Sequence, residues 1–108
     1  MRPERAPDFD ARAQHYDSLR PQNDAWWSRF HALVELGDLR GRRILDIGCG
    51  TGQLASALVE QAHAKVWGVD SSVEMLRVAR ERVPRGVPSR RVRIGPAPVW
   101  LARRLARG

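Results

Sequence analysis

Cysteine is almost missing from this chain. Cys49 is the single one in 108 residues, which excludes an intramolecular disulfide and makes a cytoplasmic location the simple expectation. Long apolar runs are missing too, so no stretch approaches the roughly 20 residues needed to span a bilayer. The opening MRPERAPDFDARAQHYD is polar and holds no apolar signal-peptide core. His15, His31 and His63 are scattered, and with Cys49 they give no metal-ligand spacing. Acids are scarce toward the end: residues 77–108 carry ten Arg against Glu81 alone, a net +9, whereas residues 1–76 sum to −2. Those arginines scatter over a helix, a strand and a tail with only Trp100 as an aromatic, and Lys65 is the one lysine. That distribution reads as solvated charge, and nucleic acid is not the expected partner.

What is present fits at most one ordinary domain. Residues 1–21 form an N-terminal segment, partly disordered, in which DFDARAQHYDSLRP makes a short helix or turn ending at Pro21. NDAWWSRFHALVELG reads as a helix capped by Asn23 or Asp24, with Trp26, Trp27, Phe30, Leu33 and Val34 on its apolar face and Gly37 as its stop. RRILDIG reads as a buried strand and QLASALVEQA as a short helix with Leu54 and Leu58 inward. AKVWGVD is a second strand. SSVEMLRVARERV is a helix opened by a Ser71–Glu74 capping box, its apolar side made by Val73, Leu76 and Val83. RVRIG is a third strand, and residues 96–108 are a basic tail or short helix. The alternation predicts an α/β fold, a parallel sheet flanked by helices, with consecutive strands adjacent and the first strand at one margin.

The informative stretch is RILDIGCGTGQLA, residues 43–55. A helix that follows a strand this closely aims its first N–H groups into the crevice at the strand end, and Gly48, Gly50 and Gly52 keep Cβ atoms out of the way. Asp70, twenty residues after Gly50, ends the second strand and suits the hydroxyls of a ribose. GTGQLA fits the dinucleotide pattern, but Asp46 would repel a pyrophosphate and no cation follows it before Lys65. A nucleoside carrying positive charge is favoured over NAD.

ILDIGCGTGQLA followed by VWGVDSSVEMLRVAR resembles the class I S-adenosylmethionine-dependent methyltransferases, especially their small-molecule type. The resemblance covers about residues 9–95. It implies a Rossmann-like sheet, here truncated to about three strands, with residues 22–95 as the cofactor-binding half-domain. It implies S-adenosylmethionine as cofactor and a small-molecule methyl acceptor. Carried over by motif, Asp46 positions the methionine end, Gly48, Cys49 and Gly50 pass beside it, and Gly52 opens the helix. Asp70 takes the ribose, Ser71 and Met75 lie by the adenine, and Tyr16 closes over the methionine part. No catalytic base is identified. Pro96 stands where the family usually carries an acid after its third strand, which removes a side-chain acceptor for the adenine.

The family sheet continues on the far side of the first strand, and nothing in residues 96–108 supplies that continuation. An exposed apolar edge is therefore expected, covered by a second copy or a partner chain. The competing readings are a non-catalytic fragment that self-associates through this edge and, more distantly, an NAD-binding oxidoreductase.

Overall fold

The computed structural model describes residues 9–84, 86–88 and 90–107; the expected disorder of residues 1–7 lies outside them. Three strands, β1 (Arg43–Ile47), β2 (Lys65–Val69) and β3 (Val92–Gly95), form a parallel sheet in the order β1-β2-β3. Helices α3 (Gln53–Gln61) and α4 (Val73–Arg82) make the two crossovers, with α1 (Phe9–Leu19) and α2 (Asp24–Gly37) ahead of them and α5 (Val99–Ala106) behind. This is the α/β parallel architecture that the alternation predicts. Parallel strands put Ile47, Val69 and Gly95 at one end of the sheet, so the glycine turn and Asp70 meet there.

One face of the sheet carries the core. Val66 and Val92 pack with Ala55, Leu58 and Val59 of α3 and with Phe30 and Val34 of α2, while Ile44 and Ile94 close the same layer. Burying such side chains contributes about 1.5–3 kcal/mol each. Trp26 stacks on Phe30 with centroids 5.6 Å apart and Trp27 meets that ring edge-on, both tryptophans being half-buried.

The opposite face is open along β1, although Val69, which shares it by register with Ile47, is 1% exposed. Leu45 and Ile47 are 42% and 53% exposed, so β1 is not the buried strand its sequence predicts. The physical reason is position: among the described residues β1 pairs only with β2, and α2 and α3 pack on the other face. The expected open margin at β1 is what makes its apolar composition visible to solvent.

Two local expectations need correction, while that of Gly37 as the last residue of α2 holds. The helix is closed by Asp38, in the left-handed region at φ 51°, whose N–H donates to Glu35 and whose carboxylate accepts from Arg42. A short polar side chain tolerates that conformation. Ser72, not Ser71, caps α4, its Oγ accepting from Met75 N–H at 3.2 Å. The inward stripe of α4 is therefore Leu76 and Ala79, while Val73 is 69% exposed; on α2, Leu33 likewise falls outside the Phe30–Val34 stripe and is exposed.

Candidate cofactor site

The turn after β1 is tied to the end of β2 by its main chain. Gly48 and Cys49 N–H both donate to the Val69 carbonyl, at 2.8 and 2.9 Å, and Gly50 N–H donates to Asp70 Oδ2 at 2.9 Å. Asp70 Oδ1 accepts from Ser72 N–H at 2.8 Å, so one carboxylate fixes both the glycine turn and the start of α4. The turn's N–H groups are thus engaged at these three positions, all of which precede the first residue of α3. A pyrophosphate would find these donors already engaged, whereas Asp70 keeps acceptor capacity, since a carboxylate takes about four hydrogen bonds.

Two glycines have distinct reasons to be glycine. At Gly48, φ +70°, a Cβ would meet nothing within 4 Å, so the turn leaves open space beside the Asp46 strand end. At Gly52, φ +80°, a Cβ would stand 2.9 Å from Ala79 Cβ and 3.1 Å from its Cα. Gly52 is thus where α3, which it N-caps, touches α4.

Asp46 has a buried Oδ2 with no hydrogen-bond partner. Burial, and then the negative charge of Asp70, lifts its carboxyl above the usual value of 3.8. It borders a cavity of about 210 Å³ shared with Tyr16, Arg20, Trp26, Gly48, Cys49, Thr51, Gln53 and Leu54. The Arg20 guanidinium lies 4.3 Å from the centre of the Tyr16 ring, and the Tyr16 hydroxyl is the nearest atom to where a Gly50 Cβ would stand, at 3.6 Å. Cys49 is buried, packs against Gly68, and has its thiol pushed up to about 11 by burial and by the charges of Asp46 and Asp70. A thiol held protonated in that way is a poor nucleophile.

The cavity thus unites Tyr16, Asp46, Gly48 and Cys49 of the expected residues. Gly50 and Asp70 lie at the adjoining strand end, and Gly52 is turned to packing. Ser71 is exposed, Met75 is half-buried, and neither borders the cavity. Sequence reasoning missed Arg20, Thr51 and Gln53. Arg20 follows Tyr16 by four positions, a spacing that puts side chains on one helical face and could have flagged it. Among the described residues no cluster of His, Cys, Asp or Glu could hold a metal ion, and no helix is long and apolar enough to cross a membrane.

Asp46, half-buried with one unpartnered oxygen, borders a cavity that Arg20 also borders, an arrangement that suits a zwitterion. A family model described as a methyltransferase domain matches residues 44–98, just over half of the chain. The chain belongs to the methyltransferase domain family. This methyltransferase domain is 57% identical over 44 residues to a trans-aconitate 2-methyltransferase of Rhodopseudomonas palustris, covering 40% of this chain and 17% of that protein. It is 53% identical over 77 residues to a ubiquinone biosynthesis O-methyltransferase of Alkalilimnicola ehrlichii, covering 67% of this chain and 31% of that protein. A solved structure, a TehB-like SAM-dependent methyltransferase of Corynebacterium glutamicum, superposes with a TM-score of 0.55 at 25% identity over 82% of this chain and 46% of that one. The truncated Rossmann-like fold follows from that superposition. The chain spans less than half the length of each of these relatives.

Proposed function

We propose that this methyltransferase domain binds S-adenosylmethionine at the glycine turn and serves methyl transfer to a small-molecule acceptor. The reading is carried by Asp46, which borders the cavity shared with Tyr16 and Arg20 and has an unpartnered Oδ2. The methionine end of the cofactor brings an ammonium for Asp46 and a carboxylate for Arg20, and Tyr16 supplies a flat surface beside them. Asp70, with acceptor capacity left over, receives the ribose hydroxyls, and Ser71 and Met75 lie on the adenine side. When bound, the cofactor supplies a methyl group on a sulfonium, already activated for in-line displacement. The residues here hold and orient it, which supplies much of the rate in such reactions.

Calorimetric titration of the purified chain with S-adenosylhomocysteine, with NAD as control, tests this. Binding of the first and not of the second is expected; binding of NAD alone would point to the oxidoreductase reading. The affinity should also depend on pH, with a definite sign. The folded, ligand-free chain favours protonated Asp46, so as pH rises from 3.8 through the raised value its stability falls. The ligand's ammonium favours the ionised form, so affinity rises over the same window, and Asp46→Asn flattens that rise.

A second observation favours self-association. The β1 edge is unpaired among the described residues, and Leu45 at its centre is exposed. Two copies joined edge to edge about a two-fold axis would place Leu45 against Leu45 and keep the Arg43 side chains apart. A groove of about 460 Å³ lies at the strands' N-terminal ends, where Arg43, Lys65, Arg90 and Arg93 surround Leu45 and Trp67. That basic ring disfavours face-to-face pairing of identical chains, so pairing falls to the edge. Light scattering after size exclusion should give a dimer at micromolar concentration that Leu45→Lys returns to monomer; a monomeric parent chain counts against the pairing.

A further inference from the structure

Helix α1 carries Tyr16 to the cavity, yet apolar burial does little to hold the part of it nearest the site. Over residues 14–19 only Tyr16 and Asp17 are half-buried, and Leu19 is 64% exposed. The attachment is polar and converges on Asp17. Its Oδ1 accepts from Thr51 Oγ1 at 2.5 Å and from Gln53 Nε2 at 3.1 Å, and its Oδ2 pairs with Arg82 Nη2. Arg82 closes the ring, donating from Nε to the Thr51 carbonyl at 2.9 Å. Both members of the ion pair are about one-quarter exposed, and Thr51 is 1% exposed. Screening is weaker there than at the surface, and a guanidinium that spans the Asp17 carboxylate and the Thr51 carbonyl is a geometrically demanding contact. By contrast, the ion pairs Arg42–Asp38 and Arg77–Glu81 are solvent-exposed and local in sequence.

We propose that Asp17 is a positioning residue for the cofactor site. It fastens α1 to the glycine turn and to the last turn of α4, and thereby sets Tyr16 and Arg20 over the cavity that Asp46 borders. The carboxylate does not itself border that cavity; it acts through Tyr16 beside it, through Arg20 three residues on, and through Thr51. The inference rests on the cofactor reading for its ligand, and on the network alone for the attachment of α1.

The test uses the full chain and two measurements. Hydrogen exchange on ligand-free protein should show α1 amides losing protection in Asp17→Ala while α3 and β2 keep theirs. Titration with S-adenosylhomocysteine should show affinity falling about 10-fold or more in Asp17→Ala and less in Asp17→Asn, which keeps an acceptor for Thr51. Arg82→Lys, which keeps the charge and loses the fork, provides a milder lesion if the alanine variant folds poorly. In a Tyr16→Ala, Arg20→Ala background, Asp17→Ala should have little further effect on affinity, whereas a general loss of stability would add to it. Unchanged protection of α1, or unchanged affinity once α1 is released, overturns the positioning role. Absence of binding by the parent chain instead overturns the cofactor reading and the positioning role with it, while the exchange result still decides whether Asp17 holds α1.

Discussion

Asp70→Ala should weaken binding of S-adenosylhomocysteine about 100-fold, the largest loss expected from any single side chain of the site. The substitution removes the acceptor for Gly50 N–H and for Ser72 N–H together, both at 2.8–2.9 Å, and with them the partner proposed for the ribose. Hydrogen bonds to a charged group are worth roughly 1.5–3 kcal/mol each, and leaving buried donors unpaired has a cost of its own. Asp70→Asn retains one oxygen and should fall between parent and alanine variant. Ser72→Ala is the useful control, because it removes the α4 cap at about 1 kcal/mol and leaves the turn tied to β2. A folded Asp70→Ala chain that binds within threefold of the parent would remove Asp70 from the site.

Gly52→Ala should be the most damaging small change to the fold. The new Cβ would face Ala79 at 2.9 Å and its main-chain Cα at 3.1 Å, and the residue would have to hold φ +80°. Neither contact is a side-chain tip that could swing away. Left-handed strain and overpacking together cost about 3 kcal/mol. In a domain of this size that lowers the melting temperature by about 10 °C or more. Gly41→Ala separates the two causes, since Gly41 also has positive φ, +71°, but nothing within 4 Å of its Cβ direction. It should lose only the strain, about 1 kcal/mol. Equal losses at the two positions would show that the α3–α4 contact contributes nothing.

The legible parts of this protein are the ones whose signals are local. Strand, glycine turn and helix follow from residues 43–61 because alternating apolar side chains and bare turn positions act within a few residues. The twenty-residue spacing from Gly50 to Asp70 was legible as well, and the structure makes it a hydrogen bond. Local signals misled where two residues competed for one role, as Ser71 and Ser72 did for the cap of α4. With Ser72 as the cap, Val73 is the first residue of α4, at the helix end beyond the packed stripe, and it lies exposed.

The site's cations and its fastening were not legible, for a different reason. No cation follows Asp46 in sequence before Lys65, and Arg20 reaches its cavity only because α1 folds back across the turn. Arg82 meets Asp17 across 65 positions, a separation that no periodicity encodes. The sequence by itself determined the parallel α/β order, the glycine turn and its two acids, since these depend on short-range sterics and the rule that consecutive parallel strands pack side by side. Tertiary structure alone decided which charges face that turn and which sheet face stays open, because both depend on where chain segments distant in sequence come to rest.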